Sequence, residues 1–171
     1  AGQVCRGRHR GVQHPRRQRQ RREGAGDLCA DAGLSDGPFT LTGHLLGVED
    51  LVKMLKTDSF VVEDAVEIAL EAQTELVQAF NESGVDVIAV ADPTSSPELL
   101  DPNDFSEFAQ PALEDLSAEM ETESILHICG NSRPILEEML DCGFSGISVE
   151  EAVDMTEAQQ VRAETGAETV L

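Results

Sequence analysis

Between residues 59 and 83 apolar side chains recur at helical spacing, with Val61, Ala65, Ile68, Ala69, Ala72, Leu76 and Phe80 on one face. The spacing predicts a long helix that Gly84 ends in a left-handed turn. VDVIAV (85–90) is a nearly unbroken apolar run, which suits a strand buried on both faces, and Asp92-Pro93 closes it. A loop carrying Ser95, Ser96 and Pro97 leads to a helix over about 103–121, and SILHIC (124–129) predicts the next strand. Ser132 suits an N-cap with Pro134 in the first turn, and Ile135, Leu136, Met139 and Leu140 give that helix its apolar stripe up to Gly143. GISV (146–149) predicts a strand, 154–165 a helix that stops at Gly166, and ETVL (168–171) a further strand. Upstream, Gly37–Leu41 reads as a short strand-like piece and 44–58 as a loop with a short helix. Residues 1–26 show neither a period of 2 nor one of 3.6.

Strands and helices therefore alternate, which means a parallel sheet. A weak repeat supports this order: SGVDVIAV, CGFSGISV and TGAETVL each set a helix-stopping glycine before a buried strand. An open doubly wound sheet remains an alternative. The distinctive residues lie at the C-terminal ends of strands, and no glycine-rich dinucleotide loop occurs, so the expected fold is a TIM (β/α)8 barrel. With 171 residues, against about 250 for a typical barrel, the chain is expected to be an incomplete fragment of about five strands and four to five helices.

Charge divides the chain in two. Residues 1–22 hold eight Arg and no acid. Residues 23–171 set 33 acids against Lys53, Lys56, Arg133 and Arg162, a net of −29. The expected domains are thus a disordered or non-native segment over 1–36 and a partial barrel over 37–171. The Arg-rich segment reads as a basic arm, as disorder, or as a GC-rich gene translated out of frame. The acidic region repels polyanions, which excludes nucleic acid and anionic membranes as partners for it. No apolar run approaches the roughly 18 residues of a membrane span. Cys5, Cys29, Cys129 and Cys142 do not form the pattern of a secreted disulfide scaffold, which points to a reducing cytoplasm.

The chemistry concentrates at the strand ends. Side chains alternate along a strand, so His127 and Cys129 share one side of SILHIC, roughly 6–7 Å apart at its mouth. An imidazole and a thiolate at that spacing can converge on one zinc ion. The bland alternative is a satisfied core histidine beside a small buried thiol. Glu150 ends the next strand and would reach the same rim as an exchangeable carboxylate ligand, with Glu151 as its rival and a solvated rim charge as the alternative. Asp92 ends VDVIAVAD and would orient a substrate or the outer shell of a metal, or start an Asx-type turn before Pro93. Cys142 reads as packing, and His44 as a loop histidine that overhangs the site or merely lies on the surface.

GPFTLTGHL (37–45), VDVIAVADPTSSPELLDPNDFSEFAQP (85–111), LHICGNSRPIL (126–136) and DCGFSGISVEE (141–151) carry a family resemblance. By them the chain resembles the uroporphyrinogen decarboxylase-like superfamily, and within it the methylcobamide:coenzyme M methyltransferases of methanogens. The resemblance implies a TIM barrel with zinc on His127 and Cys129. It further implies a third ligand, a Cys on a strand beyond Leu171, and Glu150 in the shell when the thiol substrate is absent. It implies coenzyme M as the thiol substrate and a corrinoid protein as partner, its methylcobamide serving as methyl donor. Related alternatives are uroporphyrinogen decarboxylase itself, a metal-free lyase that binds its tetrapyrrole through Arg, and a cobalamin-independent methionine synthase type. An inactive truncated product is the third.

A net of −29 on 149 residues gives strong self-repulsion at low ionic strength, and salt screens it. The screening length falls from about 10 Å at 0.1 M to about 3 Å at 1 M. The thermal midpoint is therefore expected to rise with KCl over that range, as in a salt-adapted protein. A midpoint that stays flat or falls in a calorimetric KCl series would refute this.

Overall fold

The computed structural model describes residues 30–171. Strand β1 (Ala32–Asp36) leads into helices α1 (Pro38–Leu46), α2 (Val48–Thr57) and α3 (Ser59–Ser83). After β2 (Val87–Ala91) comes α4 (Pro102–Asp104), a π-helical turn (Phe105–Ala109) and α5 (Gln110–Ala118). Then follow β3 (Glu123–His127), α6 (Leu136–Asp141), β4 (Gly146–Ser148) and α7 (Met155–Thr165). The strands are all parallel and stand in the sheet in sequence order, β1-β2-β3-β4. A doubly wound sheet reverses its strand order at a switch point. Here each crossover reaches the next strand in one direction, as successive staves of a (β/α) barrel do. Where the fifth strand was expected, Val170 makes a single parallel bridge to Gly146.

The strand expected over 37–41 is instead the first turn of α1. Pro38 stands at its start, where a fixed φ and a missing N–H suit a helix. The strand itself lies just before, at Ala32–Asp36, inside the segment set aside as non-native. Gly37 N–H closes the pairing with β2 by donating to Ala91 O at 2.7 Å. The sheet therefore begins ahead of the boundary expected at residue 37. The rest of the Arg-rich segment, with Cys5 and Cys29, lies outside the described residues. The stretch 44–58, expected to be a loop with a short helix, is mostly helical.

Two further helices differ from expectation for identifiable reasons. In α3 the buried stripe is Val62, Ala65, Val66, Ala69, Gln73 and Val77, while Val61 and Leu76 are each 39% exposed and Ile68 59%. The helix is turned by about one residue, because apolar side chains occupy most of its circumference and periodicity alone does not choose a face. Gln73 joins the buried stripe because Ser35 Oγ on β1 donates to its Oε1. In the 102–118 stretch Gln110 N–H reaches back five residues to Phe105 O. Pro111 follows directly, and it has no N–H and clashes with the carbonyl four residues back, so the backbone widens by one residue. Ser132 precedes the 3-10 turn Arg133–Ile135, yet its side chain makes no capping bond. Asp154 caps α7 instead, accepting from Thr156 N–H and Glu157 N–H.

The helices cover one face of the sheet. Ile88, Val90, Leu126 and Ile147 point into a core shared with Leu113 and Leu116. The opposite face carries Leu34, 72% exposed, and Ile125, 37% exposed. Lys56 fastens α2 to α4 through both oxygens of Asp104, at 2.6 and 2.7 Å. Among the described residues no helix is long and apolar enough to cross a membrane.

Neighbouring residues of β3 test this layering. Leu126→Ala removes a fully buried side chain and is expected to cost about 2–5 kcal/mol. Ile125→Ala, on the open face, should cost less than half as much. Urea denaturation of both variants measures the difference, and equal costs would mean that both faces are covered.

Candidate active site

The parallel register sets Asp36, Ala91, His127 and Ser148 in one row across the C-terminal ends of the four strands. Residues level with one another in a sheet present their side chains on the same side. This row lies on the face that the helices leave open. Along β3 and just beyond, buried Leu126 and Ile128 alternate with half-buried His127 and Cys129. The alternation continues although the strand ends at His127.

His127 has polar neighbours at both ring nitrogens. Nδ1 lies 3.2 Å from both the backbone O and the Oγ of Ser148. Nε2 faces Glu150 Oε1 at 4.0 Å. The other oxygen of Glu150 accepts from Gly130 N–H at 2.9 Å. Gly130 has φ +78, and a Cβ there would lie 2.9 Å from Glu98 Oε1 and 3.1 Å from Ser96 Oγ. Glycine takes this positive φ without strain and leaves room for the Ser96 and Glu98 side chains. Of the two adjacent acids, Glu150 rather than Glu151 is the one drawn to His127.

Asp92 occupies a different place from the one its sequence position suggests. It is fully buried and accepts from Thr40 N–H at 2.6 Å and Ser95 Oγ at 2.9 Å. Its carboxylate thus sits on the first turn of α1, where the helix dipole favours negative charge. No room is left for a side chain at Gly37, whose Cβ would come within 2.3 Å of Asp92 Cγ. Removal from water raises the Asp92 pKa to about 6, against the opposing pull of its bonds from Thr40 and Ser95. Its backbone N–H donates to His127 O at 2.9 Å. Asp92 therefore braces the strand end that carries His127 and does not itself face the open side.

The remaining candidates separate clearly. His44 Nδ1 lies 3.9 Å from Asp36 Oδ2, both groups well exposed. Asp36 is a rim carboxylate that lies inside the segment expected to be disordered or non-native. Its signal was the AGLSD run ahead of Gly37-Pro38. Cys142 is buried, donates to Glu138 O at 3.2 Å, and has its thiol pKa pushed far up by desolvation. It packs and does not ligate.

Among the described residues no three His, Cys, Asp or Glu side chains form a complete metal-holding group. The donor types at hand are ones that zinc accepts. They are an imidazole and a carboxylate face to face, with a half-buried thiol two residues along the chain. A backbone carbonyl at the outer nitrogen of a histidine is the arrangement that metal-binding histidines commonly use.

The family model for uroporphyrinogen decarboxylase (URO-D) matches residues 22–171. The methylcobamide:CoM methyltransferase MtaA of Methanosarcina barkeri is 42% identical over 143 residues, covering 82% of this chain and 42% of that protein. The methylated-thiol–coenzyme M methyltransferase of Methanosarcina mazei is 32% identical over 119 residues, covering 67% of this chain and 31% of that protein. Among solved structures, a methyltransferase from Methanosarcina mazei superposes with a TM-score of 0.78 at 35% identity, covering 85% of this chain and 43% of that one. The chain thus spans about two fifths of the length of the first of these relatives. The parallel barrel-type fold expected from the sequence is the fold that this superposition shows.

Asp92 gives a pH test of the brace. Its folded pKa of about 6 stands above the unfolded carboxylate value of about 3.9. The folded chain therefore keeps a proton that the unfolded chain has lost, and this stabilisation, full below about pH 4, disappears as the pH rises through about 6. Relative to non-titrating Asp92→Asn, the wild type should gain about 2–3 kcal/mol of stability between pH 7 and pH 4. Paired urea titrations at the two pH values read the difference directly. A constant gap between the two proteins would show that Asp92 is not buried as described.

Proposed function

The chain belongs to the uroporphyrinogen decarboxylase (URO-D) family, and from that premise we propose that it forms part of a zinc-dependent methyltransferase. In this reading a methyl group passes from a methylated corrinoid protein to the thiol of coenzyme M, a step of methanogenesis. Two supports point the same way: the match to MtaA and the meeting of His127 Nε2 with Glu150 Oε1 on the open face. The second carries the reading. With the imidazole proton on Nδ1, two lone pairs face each other at 4.0 Å, and a cation or a proton relieves that opposition.

His127 and Cys129 would hold the zinc, with a cysteine from a strand beyond Leu171 as third ligand. Glu150 would lend Oε1 while no thiol is bound and yield that position to the substrate. Such an ion supplies Lewis acidity, so that a thiol beside it ionises near neutral pH. Glu150 is kept close by Gly130 N–H at its other oxygen. Asp92 acts at one remove, by holding the His127 carbonyl and the start of α1. In the net reaction a sulfur–carbon bond forms as the cobalt–carbon bond breaks, and the electron pair of the broken bond stays on the corrinoid. The open ends of the strands would receive the corrinoid protein. The acidic surface and unpaired thiols suit a reducing, salt-rich cytoplasm.

The reading is tested by metal content and by transfer. The protein should bind one zinc, and cobalt(II) in its place should show a sulfur-to-metal charge-transfer band that Cys129→Ala removes. His127→Ala should lower zinc affinity at least tenfold, a conservative bound given what outer-shell partners alone contribute. Chelation should abolish methyl transfer from methylcobalamin to coenzyme M. Coordination without sulfur would sink the reading. Metal-independent decarboxylation of uroporphyrinogen, or methylation of homocysteine in preference to coenzyme M, would replace it.

A further inference from the structure

His127 reaches the open face with both ring nitrogens already committed to a direction. A backbone carbonyl oxygen can only accept, so the contact between Nδ1 and Ser148 O at 3.2 Å favours the imidazole proton on Nδ1 without fixing it alone. Ser148 Oγ stands at the same 3.2 Å and can accept from that proton too. Nε2 is then left as a bare lone pair aimed towards Glu150. Ser148 is level with His127 in the parallel ladder, so this contact is built into the register of β3 against β4. Ala91 flanks His127 on the other side with a methyl group that offers no competing hydrogen bond.

We propose that Ser148 is a positioning residue, which holds His127 as the Nδ1–H tautomer and so presents Nε2 for coordination. The inference rests on the metal-site reading given above for what Nε2 coordinates. Its own claim, the tautomer and the residue that sets it, is separate. Without the hydroxyl the imidazole keeps a single acceptor, the Ser148 carbonyl. The ring is then freer to rotate and to carry its proton on Nε2, where Glu150 accepts it. That exchange would block the coordinating nitrogen. Outer partners of this kind commonly contribute 10- to 100-fold to metal affinity.

The test uses the full chain labelled with 15N-histidine, free of metal, at a pH where the imidazole is neutral. His127→Asn assigns the signals. In the two-bond 1H–15N spectrum the wild type should show a protonated Nδ1 and an unprotonated Nε2. Ser148→Ala should show a mixture of tautomers and bind zinc at least tenfold more weakly in competition with a chelator. Ser148→Thr, which keeps the hydroxyl, should restore both readouts and controls for a fold damaged by the alanine. A wild-type ring protonated on Nε2, or a Ser148→Ala spectrum identical to wild type, overturns the proposal. Because the spectrum is recorded without metal, it decides the tautomer even for a chain that takes up no zinc, an outcome that would overturn only the proposed function.

Discussion

The register of β3 between β2 and β4 is the constraint from which the site follows. It sets Ala91, His127 and Ser148 level, so the imidazole meets a carbonyl and a hydroxyl on one side and a methyl on the other. A slip of one residue would turn His127 into the core and bring Leu126 to the open face, because side chains alternate with a period of two. The register is held by burial. Ile88, Val90, Leu126 and Ile147 are almost wholly removed from water on the helix side, and none of them tolerates the opposite face.

A second layer of support comes from groups that never reach the open side. Asp92 binds the first turn of α1 with its carboxylate and the His127 carbonyl with its amide. Burying a carboxylate is costly, and the raised pKa records that cost. What offsets it is the set of donors gathered by Thr40 and Ser95. The same economy of positive charge runs through the acidic region. Lys56 is committed to Asp104 and Arg133 to Glu157, so both are already paired.

The open face of the sheet, with Leu34 and Ile125 on it, is the side that a closed barrel turns inward. Asp36 and His127 then close their strands and Glu150 lies just beyond β4, at the strand ends where barrel enzymes carry out their chemistry.

Alternation of strand and helix, the α3 span with its glycine stop, and the position of His127 and Glu150 at one rim were legible from residue order. Period and strand-end position depend on local sequence, and HIC followed by SVEE is distinctive. Three features were not legible. The face of α3 depended on which of several apolar stripes met α1 and β1, a choice made by neighbours far away in the chain. The strand at Ala32–Asp36 was hidden by its Arg-rich surroundings and declared itself only by pairing with β2. The role of Asp92 hinged on a contact with Thr40, 52 residues away. Local propensity decides where elements form. Which side of each element is buried, and which polar atoms meet there, is settled only when distant segments compete for the same volume, and that competition belongs to the folded chain as a whole.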